Sequence, residues 1–176
     1  MKRATPRAQN SAGRAELGKL DSMTDPVQQL AQIDLFSGLL PAALERIAKV
    51  TNEESFERGE LIFEHGANGD KLYLILEGKV RVSRTVPGGG EEALAVLGAG
   101  QAFGEMALLE DTVRSADARA HERCRVLSLP KDGFDDLLFM DKNLAYEVLW
   151  GMVHMLVGRL RETTDKLTFL SASGKF

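Results

Sequence analysis

Residues 103–120 read FGEMALLEDTVRSADARA and are the most informative stretch of the chain. Gly104 and Glu105 open a short apolar segment, and Arg114 and Ser115 follow nine and ten residues after the carboxylate. The segment therefore combines a hydrogen-bond acceptor with a permanent cation and a hydroxyl donor. We interpret it as the centre of a binding site and the flanking sequence as the frame that holds it.

Short apolar segments separated by turn signals predict that the region around this stretch is built of β-strands. From Ser55 onward the apolar residues recur with a period of two, and turns follow at intervals of about 8–12 residues, which is typical of an antiparallel sandwich or barrel. The predicted strands are residues 61–63, 71–76, 79–85, 92–97, 116–120 and 124–129. In the strand predicted over residues 79–85, Val80 and Val82 are expected to face inward. Arg81 and Ser83 are predicted to face outward.

Proline and N-cap signals predict helices on both sides of the strands. Asp25 precedes Pro26, which is the order expected for an N-cap and a first helical residue, and Pro41 opens a second short helix. The predicted helical segments are residues 25–33, a helix that starts at residue 41, a segment that starts at residue 130, and a long helix over about 142–170.

The long helix carries an apolar stripe with the spacing of a coiled coil. Two series with seven-residue spacing make up the stripe: Leu149, Leu156 and Leu170, and Val153, Leu160 and Leu167. We expect a homodimer through this helix, although packing on its own domain would produce the same stripe. Thr163 interrupts the first series. Gly151 and Gly158 share a face and permit either close approach to the strands or an adjustment of the helix; the sequence leaves both open.

The composition and charge of the chain indicate one globular domain with a basic N-terminal segment. The chain has 176 residues, 44% of them hydrophobic, and no apolar run reaches the ~18 residues of a membrane span. Residues 1–20 carry a net charge of +4, whereas the remainder has 17 basic and 25 acidic residues, a net charge of −8. This acidity argues against a broad nucleic-acid surface. We read residues 1–24 as a disordered basic leader.

The sequence predicts neither an enzyme nor a metal site. His65, His121 and His154 are isolated, and none lies at metal-ligand spacing with Cys124. Cys124 is the single cysteine and fits a reducing, cytoplasmic compartment.

Residues 103–116 resemble the phosphate-binding cassette of the cyclic nucleotide-binding domain family. The resemblance covers about residues 34–170 and also rests on Gly59, Gly66 and Gly78, which match the corners of the family's β-roll. It implies a mainly β fold, an antiparallel β-roll (double-stranded jelly roll) with flanking helices and a long C-terminal helix. The implied domain is 25–176, with N-terminal helices at 25–54, the β-roll at 55–129, the cassette at 103–116 and C-terminal helices at 130–170.

The resemblance assigns a role to each polar residue of the cassette. Glu105 would accept a hydrogen bond from the ribose 2′-hydroxyl. Arg114 would pair with the phosphodiester, for which its planar donor fork is suited, and Ser115 would add a hydroxyl donor. The remaining cassette residues expected at the ligand are Gly104, Met106 and Ala107.

Each of these residues also has a plain structural explanation. A carboxylate such as Glu105 stabilises a helix N-terminus. Arg114 could instead be a surface arginine paired with Glu110 or Asp111, and Ser115 a solvent-facing strand residue.

The long helix resembles the segment in which bacterial catabolite activator proteins place hydroxyl residues against the nucleotide base. Thr163 is expected to contact the base, and Thr164 of a second subunit is expected to complete the contact; a threonine pair on a helix surface is the alternative. Arg159 lies one helical turn before Thr163 and is within reach of Glu105.

Two residues depart from the family pattern. Val113 replaces the usual proline before the arginine, and Asp111 replaces a small residue. Both bear on the rigidity of the loop and remove no contacting group. The run from Val113 to Ala116 resembles the catabolite activator subgroup.

The resemblance implies a non-catalytic sensor of a cyclic mononucleotide, with cAMP expected and cGMP possible. Ligand contacts to the roll and the long helix would change the position of the helix, and an unidentified effector protein would recognise the change. The alternatives are the sensor half of a catabolite activator-type transcription regulator and a degenerate scaffold that binds no nucleotide. Direct DNA binding is not expected if the chain is complete, because no helix-turn-helix segment follows before Phe176.

Overall fold

Two four-stranded antiparallel sheets form the centre of the computed structural model, which describes residues 25–110 and 112–172. Within these residues the strands are β1 (Asn52–Phe56), β2 (Leu61–Phe63), β3 (Lys71–Glu77), β4 (Lys79–Val86), β5 (Gly90–Gly98), β6 (Ala102–Phe103), β7 (Asp117–Ala120) and β8 (Cys124–Pro130). The first sheet has the order β1-β8-β3-β6, and the second has the order β2-β7-β4-β5. The predicted antiparallel β-roll is confirmed.

Helices precede, interrupt and follow the strands. They are α1 (Pro26–Ala31), a 3₁₀ turn (Asp34–Phe36), α2 (Pro41–Ala48), α3 (Glu105–Glu110), α4 (Lys131–Met140) and α5 (Lys142–Ala172). Asp25 caps α1 as predicted, since its side chain accepts a hydrogen bond of 3.0 Å from the Val27 N–H. None of the described helices combines the length and apolar character needed to cross a bilayer.

Strand β3 lies between two apolar cores and joins them. Leu72 and Leu74 belong to the core under the helices, whereas Tyr73 and Ile75 belong to the core inside the roll. Alternate side chains of a strand point to opposite faces, so a strand that is buried on both faces must be apolar throughout. This explains the unbroken apolar sequence of β3.

Two strand predictions differ from the structure because the local signal is weak. β1 begins at Asn52, inside the segment 25–54 that the sequence assigned to helices; its first residues are polar and largely exposed, so no apolar alternation marks them. β6 was not predicted, because two residues are too few to show a period.

The inward and outward pattern predicted for β4 is wrong at Ser83. The pairing register of β4 with β5 shifts between Val82 and Ser83, and Ser83 is fully buried. A β-bulge of this kind re-aims the side chains that follow it. The hydroxyl of Ser83 finds no hydrogen-bond partner among the described residues.

Helix α5 is packed on the domain only along part of its length and surface. Leu144, Val148 and Met152 are buried in the helical core. Gly151 permits this close packing, because a Cβ there would collide with the carbonyl oxygen of Leu35. A Cβ at Gly158 would meet nothing within 4 Å. The structure therefore explains Gly151 by close approach and leaves Gly158 without a packing reason.

The predicted apolar stripe of α5 is largely exposed in the single chain. Its exposed members in the described part of the helix are Leu149, Val153, Leu160, Leu167 and Leu170. Packing on the domain therefore does not account for the stripe.

Replacement of Gly78 by alanine is expected to lower the free energy of unfolding by about 3 kcal/mol. Gly78 has φ +79° at the corner between β3 and β4, and a Cβ there would overlap the Arg123 carbonyl oxygen and lie 2.9 Å from the Cys124 Cα. Gly59→Ala is the matched control, because Gly59 has φ +85° and free space around it; it should cost only about 1–2 kcal/mol. Urea denaturation measures both, and equal losses would contradict the steric explanation.

Candidate functional site

A cavity of about 1,020 Å³ lies between the roll, the cassette, the 3₁₀ turn and α5. The predicted ligand residues that line it are Gly104, Glu105, Met106, Arg114, Ser115 and Thr163. Thr164 is not among its lining residues, and the side chain of Ala107 lies outside the described part of the chain. Tertiary folding therefore brings the cassette and Thr163, which are distant in sequence, to one cavity.

Backbone hydrogen bonds fix the end of the cassette against the turn that follows β2. The Arg114 N–H donates to the Ala67 carbonyl at 2.8 Å, and the Gly66 N–H donates to the Arg114 carbonyl at 2.9 Å. Val113 forms an isolated antiparallel bridge with Asn68. The bridge to Asn68 thus holds the backbone at position 113, where the family pattern has a proline. The other departure, Asp111, lies outside the described residues.

The guanidinium of Arg114 is buried, and its hydrogen bonds go to neutral backbone carbonyls. The residue is 2% exposed. Its Nη1 donates to the Gly104 carbonyl at 2.9 Å, and its Nη2 donates to the Lys71 carbonyl at 2.8 Å. The ring of Phe63 lies under the guanidinium, with its centroid 4.3 Å from Cζ. Burial lowers the pKa of Arg114, because a desolvated cation is disfavoured.

No buried carboxylate pairs with Arg114 among the described residues. Asp70 is its ion-pair partner, with Oδ1 3.7 Å from Nη2, but the Asp70 side chain is 73% exposed. The Nε of Arg114 is buried without a hydrogen-bond partner. A buried donor without an acceptor is costly, so an anion that contacted this guanidinium would satisfy both its charge and its unpartnered N–H. The alternative of a surface arginine is wrong.

Gly104 is required by the position of Arg114. Its φ is +83°, and a Cβ at this residue would lie 2.6 Å from Nη1 of Arg114. The glycine therefore provides both the backbone turn into α3 and the space for the guanidinium.

Glu105 is held by α5 and not by Arg114. It is 4% exposed, and its Oε1 accepts a hydrogen bond of 2.6 Å from Nη1 of Arg159. Nη2 of Arg159 donates to the Ala102 carbonyl. The predicted contact between Arg159 and Glu105 is confirmed. This ion pair connects the first residue of α3 to the long helix.

The hydroxyl groups predicted to contact the ligand make local hydrogen bonds. Ser115 is exposed, and its Oγ lies 3.6 Å from the sulfur of Met106, a weak acceptor. The Thr163 hydroxyl donates to the Arg159 carbonyl at 2.8 Å, and the Thr164 hydroxyl donates to the Leu160 carbonyl at 2.8 Å. The oxygen atoms of Thr163 and Thr164 keep lone pairs that can accept hydrogen bonds from other donors.

Several cavity residues were not predicted from the sequence. Phe63 lies under Arg114, and no local motif indicates that a strand residue 51 positions earlier would stack there. Tyr146, Trp150 and His154 form an aromatic row on α5, with centroid distances of 6.4 and 4.8 Å. Their spacing of four residues was a signal that could have identified the row. No group of three or more potential metal ligands occurs within residues 25–110 and 112–172.

Comparison with known proteins identifies the family. A family model described as the cyclic nucleotide-binding domain matches residues 53–141. A CRP-like cAMP-activated global transcriptional regulator of Mycobacterium tuberculosis is 30% identical over 141 residues, which cover 80% of this chain and 61% of that protein. A cyclic AMP receptor protein of Thermus thermophilus is 39% identical over 137 residues, which cover 78% of this chain and 62% of that protein.

The fold agrees with that result. The crystal structure of the Thermus thermophilus catabolite activator protein matches with a TM-score of 0.67 and 37% identity, covering 78% of this chain and 63% of that chain. The chain therefore belongs to the cyclic nucleotide-binding domain family, as its cassette predicted. It spans less than two thirds of the length of these relatives.

Arg159→Ala is expected to lower the free energy of unfolding by about 2–3 kcal/mol, because it leaves the buried carboxylate of Glu105 without its partner. Arg125→Ala is the matched control: Arg125 also pairs with carboxylates at 2.6 and 2.8 Å, but these belong to Glu53 and Glu77, which are exposed. The control should lose about 1 kcal/mol or less. Chemical denaturation measures both losses, and a larger loss for Arg125→Ala would contradict the argument.

Proposed function

We propose that this member of the cyclic nucleotide-binding domain family is a non-catalytic sensor of a cyclic mononucleotide, with cAMP as its ligand. The observation that carries the proposal is the buried guanidinium of Arg114, which has no buried carboxylate partner among the described residues and faces the same cavity as Glu105. A phosphodiester has one negative charge at physiological pH and would supply the missing anion. The relatives from Mycobacterium tuberculosis and Thermus thermophilus are both named for cAMP, which supports the choice of ligand.

In this proposal the phosphate is bound by Arg114 and Ser115. A phosphate oxygen would accept from the unpartnered Nε–H of Arg114, and charge-assisted hydrogen bonds of this kind are stronger than neutral ones. The Ser115 hydroxyl would exchange the weak sulfur acceptor of Met106 for a second phosphate oxygen.

The ribose 2′-hydroxyl would donate to Glu105. One oxygen of this carboxylate accepts from Arg159, and an ionised carboxylate has further lone pairs that can accept. Arg159 therefore orients Glu105 and leaves it able to bind the sugar.

The hydroxyl of Thr163 favours adenine over guanine. Its proton is already donated to the Arg159 carbonyl, so its oxygen is free mainly to accept a hydrogen bond. The 6-amino group of adenine is a donor, whereas the corresponding atom of guanine is an oxygen acceptor. A contact between this hydroxyl and the 6-position of the base would therefore be favourable only for cAMP.

The signal would pass from the ligand to α5. Glu105 and Thr163 belong to α3 and to α5 respectively, and Arg159 of α5 pairs with Glu105. A ligand that contacts both elements changes their relative free energies and thus shifts the population of helix positions. An effector protein or a further domain would recognise the change.

We also propose that two copies of the chain associate through the exposed stripe of α5. The stripe has the seven-residue spacing of a coiled coil, and Leu160 within it is 66% exposed in the single chain. Association would bury these side chains and would bring Thr164 of the second copy towards the base.

The second candidate function is the sensor half of a transcription regulator. It is favoured by the relative from Mycobacterium tuberculosis, which is named as a transcriptional regulator and extends well beyond the matched region. The length of the natural open reading frame distinguishes the two candidates.

Isothermal titration calorimetry with cAMP and cGMP tests the ligand. The wild-type chain should bind cAMP more tightly than cGMP, and Arg114→Leu should weaken cAMP binding at least ~100-fold because the charge-assisted hydrogen bonds to the phosphate are lost. Arg123→Leu is the matched control, because Arg123 is an exposed arginine paired with the exposed Glu57; it should bind like the wild type. Absence of heat at millimolar nucleotide with the fold intact would reject the sensor function. An unchanged affinity of Arg114→Leu would remove that residue from the phosphate site.

Light scattering after size-exclusion chromatography tests the dimer. The wild-type chain should have twice the monomer mass, and Leu160→Glu should be monomeric because the substitution places a charge in the apolar seam. Phe139→Glu, at an exposed position of α4, should remain dimeric. A monomeric wild-type chain at high micromolar concentration would reject the proposed interface.

A further inference from the structure

We propose that Phe63 is a positioning residue for the ligand site, whose ring holds the guanidinium of Arg114 ready for an anion without neutralising its charge. The inference rests on the proposed function, since it gives a role to a residue that acts through the phosphate-binding arginine. Phe63 itself lines the cavity.

The contact between Phe63 and Arg114 has the geometry of a cation–π interaction. Cζ of Arg114 lies 4.3 Å from the centroid of the Phe63 ring, well within the ~6 Å at which the ring face attracts a cation. Tyr73 is the other aromatic residue over which this guanidinium lies, at 5.7 Å. Desolvation strengthens such contacts, and Arg114 is almost fully buried.

A packed aromatic cluster fixes the ring. The centroid of the Phe63 ring lies 5.7 Å from that of Tyr73 and 5.8 Å from that of Phe103. The rings of Tyr73 and Phe103 stack on each other, with their centroids 5.1 Å apart. Tyr73 and Phe103 are buried in the core of the roll. These ring contacts fix the face that Phe63 presents to the guanidinium.

The neutral character of this support matters for binding. A buried carboxylate beside Arg114 would stabilise the guanidinium but would compete with a phosphate for it. The ring face and the carbonyls of Gly104 and Lys71 stabilise the cation without adding a negative charge. A phosphate oxygen that accepts from the unpartnered Nε–H would leave both carbonyl contacts and the ring contact in place.

Replacement of the ring by an aliphatic side chain should therefore weaken ligand binding through Arg114. Phe63→Leu keeps an apolar side chain but removes the ring quadrupole, and we expect cAMP affinity to fall about 5–20-fold. Phe63→Tyr keeps the aromatic face and should stay within about twofold of the wild type. Phe56→Leu is the matched control, because Phe56 packs against the same core from β1 and is not one of the rings over Arg114.

A double-mutant cycle separates positioning from general damage to the fold. Calorimetry with cAMP is performed on the full chain for the wild type, Phe63→Leu, Arg114→Lys and the double variant, and urea denaturation is measured for each. If Phe63 acts through the guanidinium, Phe63→Leu should change affinity less than about twofold once Arg114 is lysine, because the planar donor fork is already absent.

The outcomes distinguish this inference from the proposed function. If the wild type binds neither cAMP nor cGMP, the sensor function fails and the role of Phe63 fails with it. If the wild type binds and Phe63→Leu binds equally well, or loses as much affinity in the Arg114→Lys background as alone, only the positioning role is overturned. A loss for Phe56→Leu equal to that for Phe63→Leu would also overturn it.

The side-chain N–H resonance of Arg114 provides a readout that does not depend on the ligand. The Phe63 ring should shift the Nε–H signal upfield in the nucleotide-free chain. Phe63→Tyr should retain this shift and Phe63→Leu should lose it. An identical resonance in Phe63→Leu would show that the ring does not hold the guanidinium.

Discussion

The burial of a guanidinium among neutral partners is the constraint on which this site depends. Arg114 is desolvated, and among the described residues the carboxylate that pairs with it, that of Asp70, is exposed to solvent. The energetic cost of such a cation is reduced by two carbonyls and an aromatic face, and an anion in the cavity would reduce it further. Gly104 is part of the same constraint, because any larger residue would occupy the space of the guanidinium. The cassette is therefore organised around one charge.

A second charge pair, between Glu105 and Arg159, lies at the cavity and connects α3 to α5. If Glu105 were free, it could approach Arg114 and the two groups would neutralise each other. Arg159 instead holds Glu105 at 2.6 Å, so the acceptor and the cation remain separate. Because Arg159 lies on α5, this contact is the route by which the proposed ligand would affect the position of the helix. Two helical turns before Arg159, Gly151 allows α5 to pack closely against the backbone of Leu35.

Much of the fold was predictable from local patterns, and the failures have local causes. The strands with clear alternation, the turns at glycine and the long helix agree with the sequence, because each depends on residues close together in the chain. The two-residue β6 has no period to detect. Ser83 is buried because a bulge in β4 changes the register, and the pairing partner that creates the bulge cannot be identified from the strand alone.

The sequence by itself determined most of the strands, the helices, the family and the residues of the cassette, since these follow from periodicity and from a contiguous motif. Only the tertiary structure decided which groups surround the guanidinium. Phe63, Lys71 and Arg114 come from three separate segments, and they meet because β2 and β3 belong to the two sheets that pack together in the core of the roll. It also decided that Gly151 is a packing requirement and that Gly158 is not. Contacts between distant segments depend on the arrangement of the whole chain, and no local pattern encodes them.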